Sequence, residues 1–119
     1  KRYSEGFAGV DGLIPYAQMP GRAYAWHLYP LKLELDALRL NRDRFIAGLK
    51  EKGIGTSVHF IPLYRFSYYK RLGYAAVSYP ASEWIFERVL SLPIFPGMSD
   101  EELSYVIECV VDLARRHKR

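Results

Sequence analysis

The run Ser99-Asp100-Glu101-Glu102, followed by Leu103, Val106, Ile107, Val110 and Ala114, fixes one element of this chain before any other. A serine with a glutamate three residues on makes a reciprocal cap for the free N–H groups of a first helical turn. The apolar residues behind it recur at the spacing of a single helix face. A long helix with one apolar stripe must lay that stripe on another layer, so the remaining chain has to supply a sheet or further helices. The carboxylates at 100–102 suit the positive end of such a helix and need no further chemistry to explain them.

The other elements follow from local signals. Lys1 to Phe7 reads as a short helix, and Gly9-Val10-Asp11-Gly12 as a turn. Leu13 to Tyr16 is extended, because Pro15 blocks a helix. After a loop at Gln18 to Arg22, the run 23–33 is rich in aromatic and apolar residues and predicts a strand. Pro30 cannot donate to a ladder, so that strand needs an edge segment or a bulge there. Glu34 to Leu40 is open between helix and strand. Asn41 caps a helix over 42–52 with Phe45, Ile46 and Leu49 on one face, and Gly53 follows its end.

The alternation of Thr56, Val58 and Phe60 with Ser57, His59 and Ile61 predicts a second strand over 54–61, ended by Pro62. Arg65 to Leu72 is a short helix candidate. Pro80 suits a first helical position, and the helix after it aligns Ala81, Trp84, Ile85 and Val89. The run 90–95 is a third strand, interrupted by Pro93. The expected fold is α+β: a small, mainly antiparallel three-stranded sheet with helices packed on one face and the final helix across it. The uncovered face or end of the sheet then needs a partner.

The 119 residues suit one domain, and with half of them hydrophobic there is material for one core. No apolar run approaches the ~18 residues of a membrane span. Cys109 is the only cysteine, which excludes an internal disulfide and a cysteine-built metal site. A reducing, cytoplasmic setting is the expectation. The net charge of +4 owes much to Arg115, Arg116, Lys118 and Arg119, either a solvated helix end or a patch for an anionic partner. Ten tyrosines serve either as core and rim or as a docking surface.

Motifs for unaided chemistry are missing: there is no phosphate-binding glycine loop, no nucleophile elbow and no paired metal-binding histidines. His27 in the first expected strand and His59 in the second could flank a substrate or share a metal. Without further ligands they read as ordinary strand residues, and no metal site is expected. His117 belongs to the basic tail.

Four blocks in order carry a resemblance. They are Ala25-Trp26-His27-Leu28-Tyr29-Pro30-Leu31, the run from Leu49 to Leu63, Tyr68-Tyr69-Lys70-Arg71-Leu72-Gly73-Tyr74, and the run from Leu90 to Glu102. Together they resemble the C-terminal small domain of the DegT/DnrJ/StrS aminotransferases, over nearly everything from Trp26 to the last helix. Residues 1–22 match loosely and read as a connecting segment of helix and loop, with 23–119 as the small domain.

The resemblance implies an aspartate-aminotransferase-like fold and a parent enzyme using pyridoxal phosphate. Such an enzyme moves an amino group, usually from glutamate, to a nucleotide-linked keto-sugar for polysaccharide or antibiotic pathways. It also implies a homodimer and a large N-terminal domain that carries the Schiff-base lysine, the acid partner of the pyridine nitrogen and the phosphate cradle. None of Lys32, Lys50, Lys52 or Lys70 matches that lysine's context, so no catalytic residue is expected here and this fragment alone is expected to be inactive. Tyr64 stands where the family's Phe-Ile-Pro-Leu-His segment has its histidine; with His59 and His27 it is a candidate to lie near cofactor or substrate. Tyrosine donates a hydrogen bond but does not titrate near neutral pH. Two other readings remain: a stand-alone ligand-binding module, or a regulatory domain that binds nucleic acid through the basic tail.

Overall fold

The computed structural model describes residues 1–119, the side chain of Ala75 excepted. The elements run α1 (Arg2–Phe7), β1 (Leu13–Ile14), β2 (Tyr29–Leu33), α2 (Arg42–Glu51), α3 (Ser67–Arg71), α4 (Pro80–Arg88), β3 (Val89–Leu92) and α5 (Asp100–Arg116). Short 3-10 turns occupy Leu35–Ala37, Leu63–Arg65 and Tyr74–Ala76. The three strands form one antiparallel sheet in the order β1-β2-β3, giving the expected α+β architecture.

The helix signals act as the chemistry requires. The Asn41 side chain accepts from the Arg44 N–H at 2.9 Å and starts α2. Both halves of the Ser99–Glu102 capping box form: Glu102 N–H donates to Ser99 Oγ at 3.1 Å, and Ser99 N–H donates to the Glu102 carboxylate at 2.8 Å. α4 begins at Pro80, whose missing N–H costs nothing in a first turn.

Pro30 sits in the central strand, yet where its missing N–H does no harm. Glu34 N–H donates to Gly12 O, toward β1. Backbone polar groups alternate sides along a strand, so Lys32 and Pro30 face the same way. β1 ends at Ile14, opposite Lys32, so Pro30 looks past its end. The edge segment expected there exists inside a three-stranded sheet.

Tyr29, Leu31 and Leu33 line one face of β2, joined by Leu90 and Leu92 of β3. α1 brings Tyr3 and Phe7 to this face, α2 brings Phe45 and Leu49, and α5 brings Val106, Val110, Leu113 and Ala114. Full burial of each large apolar side chain contributes about 1.5–3 kcal/mol, which is why α5 lies against the sheet as its stripe demanded. Lys32, on the other face of β2, sits with its ammonium 5.4 Å from the centre of the Trp84 ring of α4.

Two strand expectations are corrected. The run 23–33 forms a strand only from Tyr29, so His27 lies in the preceding loop. The run 54–61 is not a strand: it touches the sheet at one bridge, Ser57 with Ser91. Continuing that pairing one way would set Gly55 against Pro93, which has no N–H to give. The other way it would set His59 against Val89, the residue at which α4 ends and β3 begins. The third strand is instead Leu13–Ile14, from the short extended stretch. In α4, Trp84 and Ile85 are exposed, so the aligned side is not a core face.

Candidate functional site

Beyond the bridge to Ser91, the chain from His59 to Tyr79 runs through two 3-10 turns and the short helix α3, which pack on one another. Phe60 is 74% exposed and Leu63 63%, with Ile61, Phe66, Tyr68, Leu72, Tyr74 and Val77 about half exposed. An apolar surface of this extent is uncommon on a protein that works alone.

His59 and Tyr64 are both fastened. His59 Nδ1 lies 2.9 Å from Ser91 Oγ and 3.3 Å from Ser57 Oγ. Ser91 is the one buried polar residue of β3, so His59 satisfies its hydroxyl in a position where an unpaired group is costly. Its ring borders a small hollow with Phe60, Pro62, Ser82, Ile85, Phe86 and Val89. Tyr64 donates its hydroxyl to Glu83 Oε1 at 2.7 Å and stacks on Tyr79, with ring centres 4.5 Å apart and planes 17° from parallel.

Glu83 is the hub of this corner. Arg65 Nε donates to Glu83 Oε1 at 3.2 Å, and its guanidinium also pairs with Oε2. The Arg65 guanidinium lies 4.6 Å from the Phe86 ring centre, and that of Arg42 lies 4.8 Å from it. The bond from Arg65, then that from Tyr64, holds the Glu83 carboxyl below the usual range. Desolvation, then the bond to Glu83, raises the Tyr64 phenol above its usual value. The phenol is neutral at physiological pH and the carboxylate charged.

Tyr64 thus meets the first turn of α4 at Glu83, while His59 shares the lining of a hollow with the neighbouring Ser82. His27 is not brought to them; it is exposed in the loop before β2. Glu83 escaped the sequence reading, although it is the only acidic residue between Glu51 and Glu87, among Lys52, Arg65, Lys70 and Arg71. A lone carboxylate in a basic, aromatic stretch is the signal that could have found it. A second hollow of about 310 Å³ lies against Leu63, Tyr64, Tyr69, Tyr74 and Tyr79. A larger one, of about 420 Å³ between Gly53–Gly55 and the start of α5, touches none of the three candidates.

The residues present do not fit pyridoxal phosphate by themselves. Lys32 sits over Trp84, Lys52 pairs with Asp112 at 3.4 Å, Lys118 pairs with Asp11, and Lys50 and Lys70 are exposed. The N-terminus of α5 is closed by its own glutamate rather than open to a phosphate. Among the described residues, no three His, Cys, Asp or Glu side chains group to hold a metal, and no helix is long and apolar enough to cross a membrane. The basic tail is largely engaged: Arg116 pairs with Asp112, Lys118 with Asp11, and Arg119 Nε donates to Leu38 O.

Three comparisons bear on the whole. The family model described as the DegT/DnrJ/EryC1/StrS aminotransferase family matches residues 1–111. The spore coat polysaccharide biosynthesis protein SpsC of Bacillus subtilis is 41% identical, over 96% of this chain and 30% of its own length. An uncharacterized protein of Methanocaldococcus jannaschii is also 41% identical, over 99% of this chain and 31% of its own. Among solved structures, a protein of Streptococcus pneumoniae named as a sugar aminotransferase superposes on 97% of this chain with a TM-score of 0.85 at 34% identity. The chain spans about three-tenths of the length of these relatives.

Proposed function

The chain belongs to the DegT/DnrJ/EryC1/StrS aminotransferase family, and from that premise we propose that it is the C-terminal small domain of a pyridoxal phosphate-dependent sugar aminotransferase. The parent protein moves an amino group from glutamate to a nucleotide-linked keto-sugar, in the cytoplasm and as a homodimer. The observation that carries this reading is the match over residues 1–111, joined to the superposition on 97% of the chain with a sugar aminotransferase.

In the parent, the cofactor supplies the electron sink for amino transfer. Its lysine and phosphate cradle belong to the large domain, which agrees with the lysines of this chain being exposed, paired or stacked. This chain supplies a side wall. The exposed run from Phe60 to Tyr79 packs at the boundary with the large domain or the second subunit, and Tyr64 and His59 face the cofactor's surroundings from there. Residues 1–22 connect the domains, with α1 fastened to the small-domain core through Tyr3 and Phe7.

The test is a pair of assays. The 119-residue chain titrated with pyridoxal phosphate is expected to give no saturable yellow complex and no turnover. The parent protein, supplied with glutamate and a nucleotide-linked keto-sugar, is expected to release 2-oxoglutarate and the amino-sugar. Saturable cofactor binding with turnover by this chain alone would overturn the assignment, as would a parent unable to transfer an amino group from any donor.

A further inference from the structure

The bridge between Ser57 and Ser91 gathers three polar side chains at one point. Ser57 N–H donates to Ser91 O at 3.3 Å, and Ser91 N–H donates to Ser57 O at 2.7 Å. Residues paired in this way carry their side chains on the same side of a sheet. Leu90 and Leu92 join the core, so Ser91 between them turns its hydroxyl to the outer side of β3. His59, two residues after Ser57, brings its Nδ1 to both hydroxyls, 2.9 Å from Ser91 Oγ and 3.3 Å from Ser57 Oγ.

The hydroxyl protons decide which ring nitrogen carries the proton of His59. A neutral imidazole has one N–H and one accepting nitrogen, and the partner of one nitrogen sets the role of the other. Ser57 is exposed and can turn its hydroxyl to water. Ser91 is 4% exposed, and among the described residues its hydroxyl has no partner but His59 Nδ1. A proton on Nδ1 would be donated to Ser91 Oγ and would leave the buried serine proton without an acceptor. An unmet donor in such a position disfavours that tautomer by roughly tenfold or more. Nδ1 therefore accepts from Ser91, and the ring proton sits on Nε2.

With Nδ1 fastened, Nε2 is the nitrogen turned away from Ser91. The residue borders the hollow of about 120 Å³ that it shares with Phe60, Ser82, Ile85 and Phe86. That volume is below the range of whole-ligand pockets and suits a single functional group.

We propose that Ser91 is a positioning residue for His59: its buried hydroxyl holds Nδ1 as an acceptor and so fixes Nε2–H as a hydrogen-bond donor to an oxygen brought against this segment in the parent protein. The neutral ring has no lone pair at Nε2, which closes that nitrogen as a proton acceptor. Use of the donor in the parent rests on the sugar-aminotransferase reading; the tautomer does not.

Long-range proton–nitrogen NMR of the imidazole rings in the 119-residue chain, at mildly alkaline pH, tests the tautomer. The His59 proton is expected on Nε2, in excess over the other form by roughly tenfold or more. Ser91→Ala is expected to move the Nδ1 resonance of His59 and to leave that of the exposed His27 in place. Ser91→Thr, which keeps a hydroxyl, is expected to hold the wild-type pattern, with unchanged core methyl shifts showing that each variant folds. A proton on Nδ1, comparable populations of the two forms, or an Nδ1 signal indifferent to Ser91→Ala would each overturn the inference, and the wild-type spectrum decides even where a variant fails to fold. In the parent, His59→Gln keeps an amide N–H near the place of Nε2, and the shorter His59→Asn does not. Asn is expected to lose roughly tenfold more turnover than Gln, and equal losses would remove the donor role. Amino transfer is scored separately. A parent that turns over with the His59 proton on Nδ1 sinks this inference alone, and the expected tautomer in a parent that transfers no amino group sinks the proposed function alone.

Discussion

The Tyr3 hydroxyl donates to the carbonyl oxygen of Pro93 across 2.8 Å, tying the first helix to the residue at which β3 has just ended. The same ring stacks on Phe7 at 5.7 Å and tilts against Tyr29 at 4.8 Å. Tyr3→Phe keeps the packing and loses one hydrogen bond, for an expected cost of about 1 kcal/mol. Tyr3→Ala also empties the space under α1, for about 3–5 kcal/mol. Urea denaturation separates the two; equal losses would show that the ring contributes nothing beyond its hydroxyl.

That tyrosine also predicts an alkaline transition. Burial, then the neighbouring Tyr29, pushes its pKa from 10.0 up to about 12. A raised pKa means that the fold favours the neutral phenol. The stabilisation is whole below pH 10 and disappears as the pH climbs toward 12. The melting temperature of the wild type is expected to fall across that interval more steeply than that of Tyr3→Phe.

At the acid end, Asp112 is held below its ordinary pKa, first by its bond to Arg116 and then by Lys52. A depressed carboxylate stabilises the fold above its ordinary pKa of about 4, and the contribution is lost as the pH falls through the folded value. Asp112→Asn is expected to flatten the stability curve below about pH 4 and to make stability near pH 7 less sensitive to salt. A curve of unchanged shape would mean that the pair is too exposed to matter.

Two glycines offer a contrast. Both Gly12 and Gly53 have positive φ, +86° and +76°, so alanine at either meets the left-handed penalty of about 1–2 kcal/mol. A Cβ at Gly53 meets open space, whereas one at Gly12 would lie 2.5 Å from Leu38 Cδ2, in a side chain only 1% exposed. Gly12→Ala is expected to be the clearly more damaging change by thermal denaturation, and parity between the variants would refute the steric argument.

The capping box gives the simplest case. Ser99→Ala removes the acceptor for Glu102 N–H and is expected to cost about 1 kcal/mol of stability. Ser99→Asp, which keeps an acceptor at the positive helix end, should restore most of it.

Elements whose ends are chemically marked were legible in the sequence. Asn41 and Ser99 start α2 and α5, and both stripes reach the core as their spacing required. The run 54–61 misled because alternation shows only that a strand could form there, not that a neighbouring edge is free to pair. Pro93 and the junction at Val89 close that edge on either side of Ser91. Conversely, Leu13–Ile14 is too short for periodicity to reveal, and becomes a strand because Leu33 and Lys32 lie opposite it. Tyr64 could be singled out from its sequence block, but its restraint by Glu83 spans 19 residues and depends on how α4 is placed, which no local pattern records.

The end of the chain has a mechanical consequence. Arg39 N–H donates to His117 O, Arg119 N–H donates to Ala37 O, and Arg119 Nε donates to Leu38 O. A pull applied at Arg119 does not peel α5 from its last turn inward. The load enters the fold at residues 37–39, just ahead of α2, and those bonds bear it together before any turn of α5 unwinds.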